Sequence, residues 1–319
     1  VKAAGFDTVR IPVSFMDKIG SAENGYTIDT AWMSRVKTVV DYALDSGLFV
    51  IMDIHHDGSK DVTGKWIDIS LPEGTQRTAM LNKFSAVWTQ IAQTFANYDQ
   101  HLVFESMNEV MIGDSYGYTS SLAYENINAL NQTFVNAVRN VEGNSDRCLL
   151  IPGYNTNIDL TISGLFKKPT DTTDNRLMLS VHYYDPYDFT LNENNDLYEW
   201  GLATEQTYMK NQFQKISAFA NGLNMPVIIG EYGAIDKDNI EERSLYLRKL
   251  NEYAAEYNIV TAYWDNGFIG EYGFAIFNRN TNTVYPTSQS LINAIMEKQD
   301  IKQALNRVCF FMKITYLGG

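Results

Sequence analysis

Seven short runs rich in apolar and β-branched residues, separated by longer stretches with helical periodicity, restrict this chain to a small set of folds. The runs lie at 8–13, 49–55, 102–105, 148–151, 177–183, 226–229 and 259–264. The stretches between them read as helices at about 30–45, 75–96, 121–141, 204–222, 240–257 and 288–304. In the first of these, Trp32, Val36, Val39, Val40 and Ala43 recur at helical spacing, and Gly47 follows as a glycine past a last turn should. Strands alternating with helices mean βα units and a parallel sheet. Their number and spacing in 319 residues suit a (β/α)8 TIM barrel, an α/β fold of about 250 residues. A doubly wound sheet is the alternative. It fits less well, because no glycine-rich G-x-G-x-x-G follows any run. Polar residues also close nearly every run, on the side where a barrel builds its site.

Counted this way, the barrel lacks its first strand. The chain opens on Val1-Lys2-Ala3-Ala4-Gly5, which reads as the end of a helix. The expectation is an N-terminally truncated (β/α)8 catalytic domain over 1–305 and a tail over 306–319. The tail segment 308–317 is strand-like and would enter the barrel in the first strand's place. A disordered tail or edge pairing with another chain is the alternative.

Composition narrows the function. A net charge of −13 excludes a nucleic-acid partner, whose phosphates demand a basic face. No run of about 18 apolar residues is present, so no membrane span is expected. Of the two cysteines, Cys148 sits in an apolar run and reads as a buried thiol; no disulfide framework and no zinc spacing appear. His55-His56-Asp57 carries metal-ligand types, but neighbours on a strand face opposite ways, and no H-E-x-x-H accompanies them. No metal is expected. There is also no G-x-S-x-G elbow and no P-loop.

The run ends bring together Arg10, His55 and His56, Asn108 and Glu109, His182 and Tyr184, Glu231, and Trp264. Three of the four histidines fall in this set; the fourth, His101, precedes its strand and reads as structural. Glu109 and Glu231 each follow a buried apolar run. Two carboxylates on rigid strand ends are what glycoside hydrolysis needs, one to protonate the leaving oxygen and one to attack the anomeric carbon. Glu109 needs a raised pKa to serve as acid. Glu231 must stay ionised to serve as nucleophile, and Arg10 near it would favour that form. Asn108 can bond the sugar 2-hydroxyl. His182 is placed to tune the proton donor, with Tyr184 pointing the same way, and Trp264 offers a flat face to a pyranose. The bland alternatives are a helix-capping acid for Glu109, an Arg–Glu pair for Glu231, and core roles for His182 and Trp264.

With these residues laid out, the chain resembles glycoside hydrolase family 5, the retaining cellulases. The matching segments are Val9-Arg10-Ile11-Pro12, Asp53-Ile54-His55-His56-Asp57, Met107-Asn108-Glu109, His182-Tyr183-Tyr184-Asp185-Pro186, Ile229-Gly230-Glu231-Tyr232-Gly233 and Tyr263-Trp264-Asp265-Asn266-Gly267, in the family's order. The resemblance looks closest to the rumen and clostridial endoglucanases. It implies a (β/α)8 fold, no cofactor, and retaining hydrolysis of β-1,4-glucan outside the cell. It assigns Glu109 as acid/base and Glu231 as nucleophile, with Arg10, His55, His56, Asn108, His182, Tyr184 and Trp264 around the sugar. Xyloglucan or β-mannan is the rival substrate, and a non-catalytic carbohydrate-binding protein the rival from another class. Trp66 and Trp200, in the loops after His56 and Tyr184, are candidates for further glucose stacking or for pinning their loops. The loop over 265–286, with Phe268, Tyr272 and Phe274, is a third wall candidate.

Overall fold

The structure, a computed structural model, describes residues 1–60, 62–113, 116–117 and 120–297. The tail over 306–319 and the end of the last helix therefore lie outside the described residues. The chain divides into two compact units, one of residues 7–180 and one of residues 1–6 with 181 onward.

In the first unit, strands β1 (Thr8–Val13), β2 (Phe49–Ile54), β3 (Leu102–Glu105), β4 (Leu149–Pro152) and the first half of β5 (Leu177–Tyr183) lie side by side in chain order. Each pairs with the next in parallel, Thr8 opposite Phe49, Val50 opposite Leu102, Phe104 opposite Leu149, and Leu149 opposite Leu177. Parallel strands are covered on both faces, so they read as unbroken apolar runs rather than alternations. Accordingly β3 and β4 are buried throughout. The connecting helices are α1 (Thr30–Asp45), α2 (Thr75–Thr94), α3 (Ser121–Arg139) and the short α4 (Ile158–Thr161).

Local chemistry sets the helix limits. The Asp29 carboxylate accepts the Trp32 amide at 2.7 Å and starts α1. Gly47, at φ 72°, takes the left-handed turn that ends it. Between sheet and helices, Trp88 of α2 packs on Phe104 and Phe134 with ring centroids 5.5 and 4.4 Å apart. Its indole N–H donates to the Ser106 carbonyl at 3.1 Å, which anchors the chain just past β3. Before β4, buried Arg147 satisfies the carbonyls of Phe95, Tyr98, Asp99 and Leu102 and the side-chain oxygen of Asn144. His101 stays exposed beside Asp99, its ring 4.5 Å from Phe49, as expected of a residue ahead of its strand.

The second unit holds the rest of β5, then β6 (Val227–Tyr232) and β7 (Val260–Tyr263), again in chain order. Around them are α5 (Tyr187–Thr190), α6 (Ala203–Gly222), α7 (Ile240–Glu256) and α8 (Gln289–Met296), with a small hairpin of β8 (Phe277–Asn278) and β9 (Thr283–Val284). β6 is buried throughout. Its pairing with β7 is irregular: Ile229 faces Thr261, but Tyr232 faces Tyr263, so β6 carries one extra residue at Gly230–Glu231. Such bulges bend a strand and re-aim a side chain, and they recur beside active sites. Among the described residues, no helix is long and apolar enough to cross a membrane.

Candidate active site

In the first unit the site grows from the ends of β1, β2 and β3. The Arg10 side chain, 4% exposed, donates through Nε to Glu105 Oε2 at 2.6 Å. Its Nη2 donates to Asp53 Oδ2 at 2.5 Å and to Asn108 Oδ1 at 2.9 Å. Asp53 Oδ2 also meets His55 Nδ1 at 2.8 Å. That contact places an imidazole proton on Nδ1. Arg10 thus joins Asp53, Glu105 and Asn108 in one network.

The acid that closes β3 is Glu105, not Glu109; Glu109 lies four residues on, in an irregular segment held at both sides. The Ser106 amide donates to Leu150 O at 3.1 Å, and the Asn108 amide to Ile54 O at 2.9 Å, so the segment is tied to β4 and β2. Trp88 holds the Ser106 carbonyl from behind. Asn108 is buried. Desolvation pushes the Glu109 carboxyl above the usual carboxylate range, against the opposing charges of Arg10 and His55 and with the help of Asp53. A raised carboxyl pKa is what a proton donor at mildly acidic pH requires.

His55, His56 and Asp57 do not converge. β2 ends at Ile54, so the strand rule of opposite faces no longer applies, and the two imidazoles stand edge to face at 4.6 Å. His56 Nδ1 pairs with the Ser14 hydroxyl at 3.0 Å, and burial with the neighbouring His55 pulls its pKa down. Asp57 turns inward to accept the Phe15 amide at 2.9 Å and the Trp66 indole N–H at 2.6 Å. Trp66 is therefore pinned by its nitrogen, and Lys83 covers its ring at 4.5 Å.

In the second unit, Glu231 sits in the β6 bulge, 6% exposed. The Tyr184 hydroxyl donates to its Oε2 at 3.1 Å, and His182 Nδ1 lies 3.7 Å from the same oxygen. His182 is thus a neighbour of Glu231. The Trp264 amide donates to Tyr232 O at 2.9 Å, which ties the end of β7 to the bulge. Gly233 follows because a Cβ there would stand 2.9 Å from the Phe274 ring.

The family model for cellulase, glycosyl hydrolase family 5, matches residues 1–273. The chain belongs to this family. It is 40% identical over 322 residues to Endoglucanase A of Paenibacillus barcinonensis, covering 93% of this chain and 79% of that protein. Three further endoglucanase relatives are longer, and the chain spans 60% or 61% of their length. Among solved structures, a family 5 xyloglucanase from Paenibacillus pabuli superposes with a TM-score of 0.87 at 42% identity, over 93% of this chain and 88% of that one. A broad-specificity endoglucanase from Ruminococcus champanellensis, solved with cellotriose, does so with a TM-score of 0.83 at 37% identity, over 93% and 83%. The family 5 chain accordingly has the (β/α)8 fold expected from its strand and helix pattern.

Two features of this family 5 chain sharpen the sequence reading. Trp200, a candidate for glucose stacking or for pinning its loop, is 6% exposed and packs edge to face on Tyr246 of α7 at 5.1 Å, which fits the pinning role. Its ring is committed to the core, and Trp200→Ala is expected to cost about 3–5 kcal/mol of stability, read as a lower denaturant midpoint. A rise in KM with an unchanged midpoint would restore the stacking role. The sequence reading also passed over Glu105 and Ser180 as site residues, and took Asp53 only as part of a motif. The signal was an acid in a run otherwise wholly apolar, Phe49-Val50-Ile51-Met52-Asp53-Ile54 and Leu102-Val103-Phe104-Glu105, because a buried carboxylate needs a partner.

Proposed function

We propose that this chain hydrolyses internal bonds of β-1,4-glucan with retention of configuration. Glu231 attacks the anomeric carbon while Glu109 protonates the departing oxygen; Glu109 then takes a proton from the water that frees the sugar. The observation that carries the reading is the contrast between the two acids. Glu109 is pushed toward its protonated form by desolvation. Glu231 is held in the β6 bulge by the hydroxyl of Tyr184, aimed for attack. The remaining roles belong to the same proposal. Asn108 contacts the sugar 2-hydroxyl, Arg10 and His55 hold the floor of the first half-site, and His182 and Tyr184 orient Glu231. Trp264 stacks on the ring, and His56 lies next to it. Two proton transfers and one displacement by a carboxylate are chemistry these side chains supply without a cofactor. A polymer substrate too large to enter a cell supports action outside it.

A xyloglucan preference is the second reading, favoured by the 42% identity to a xyloglucanase. Rates on carboxymethylcellulose, lichenan, xyloglucan, xylan and mannan separate the two. We expect the glucan backbones to be cut at least about 10-fold faster than mannan, a step worth roughly 1.4 kcal/mol in the barrier. Proton NMR of the first product formed checks the mechanism: the β-anomer is expected, and an α-anomer would overturn retention. No activity on any of the five polymers would overturn the reading itself.

A further inference from the structure

We propose that Glu105 is a positioning residue that sets the orientation of the Asn108 amide through Arg10, and so governs recognition of the sugar 2-hydroxyl. The inference rests on the glycanase reading above and deepens it. Glu105 closes β3 and is 0% exposed, in a place where an apolar side chain would avoid the desolvation cost of an ion. Both of its oxygens are engaged. Oε1 accepts the Ser180 hydroxyl at 2.5 Å, and Oε2 accepts Arg10 Nε at 2.6 Å. Asp53 takes Arg10 Nη2 at 2.5 Å. Held by two carboxylates from β2 and β3, the planar guanidinium has a fixed orientation.

That orientation reaches Asn108. Arg10 Nη2 also donates to Asn108 Oδ1 at 2.9 Å. A guanidinium has donors only, so the atom of Asn108 that faces it must be the carbonyl oxygen. The amide NH2 is thereby turned away from Arg10 and left to donate to a ligand oxygen. The Asn108 backbone is pinned by its amide bond to Ile54 O, so the side-chain torsion is what the guanidinium decides. Without the charge on Glu105, Arg10 Nε loses its ionic partner. The guanidinium is then drawn toward Asp53, and the amide loses its reference.

The test compares two aryl β-cellobiosides, one with and one without the 2-hydroxyl on the sugar whose bond is cleaved. In Glu105→Gln, both kcat/KM values are expected to fall, the 2-hydroxy substrate by about 10-fold more, as befits one misaligned hydrogen bond. In an Asn108→Ala background the same change is expected to leave the ratio of the two substrates unaltered, because coupled residues are not additive. Ser180→Ala, a milder change that removes one donor to Glu105, is expected to lower the ratio in the same direction by about threefold if Glu105→Gln fails to fold. Equal losses on both substrates, or a wild-type ratio in Glu105→Gln and in Ser180→Ala, would overturn the inference alone. A wild-type chain that cleaves neither cellobioside nor any glucan would overturn the glycanase reading and this inference together.

Discussion

Glu231→Gln is expected to lower kcat on carboxymethylcellulose by at least about 10³-fold, with the fold intact. Removing a covalent nucleophile takes away a step for which no other group substitutes, and losses of several orders of magnitude are the rule for such changes. The amide keeps the size of the side chain in the β6 bulge, and its oxygen still accepts the Tyr184 hydroxyl. The variant also removes a buried carboxylate, 6% exposed, so its melting temperature should match or exceed that of the wild type. A reducing-sugar assay beside a thermal melt separates the two quantities. Near-wild-type turnover by the folded variant would end the assignment of Glu231.

Glu109→Ala is expected to cost about 10²–10⁴-fold on the polymer, the span of general acid–base catalysis. The loss should depend on the leaving group. A dinitrophenyl glycoside departs without protonation, so its first step should survive, and the polymer should suffer most. The pH profile carries a second signature. Because the Glu109 carboxyl is raised above the usual range, the wild-type kcat/KM should fall as pH climbs through that raised value, and this alkaline limb should vanish in the variant. Stability moves the opposite way from a typical carboxylate. A pKa raised by folding means that ionisation disfavours the folded state. The penalty is absent below the unfolded pKa and grows as pH rises toward the folded one. Glu109→Gln should therefore melt higher than the wild type at neutral pH and match it in acid. An unchanged pH profile in Glu109→Ala would move the acid role to another residue.

The fold was legible in the sequence because both of its signals are strong. Buried parallel strands are written as runs such as Leu177–Tyr183, and the helix at Thr30–Asp45 carries its own cap and stop. The catalytic candidates were legible because they stand at or just past the ends of those runs. What the sequence did not show is who pairs with whom. Arg10 lies 43 positions from Asp53 and 95 from Glu105, distances over which spacing holds no information. Trp200 left two alternatives open, because an indole in a polar loop can stack on a sugar or pin the loop. Only the packed ring of Tyr246 shows that the loop folds back on α7. Lys237 was invisible for a similar reason. Its ammonium donates to the carbonyls of Asp188, Asn195 and Leu197, a staple made to backbone atoms that every sequence possesses.

The extra residue in β6 has a consequence for anyone who recombines or trims this strand. Side chains on a regular strand alternate with fixed parity, and here the parity changes between Ile229 and Tyr232. Removing one residue from β6 would leave its neighbours correctly hydrogen-bonded while handing the place of Glu231 to another side chain. A segment grafted from a relative would keep the carboxylate aimed only if it carried the same irregular step. In this strand, residue count matters as much as residue identity.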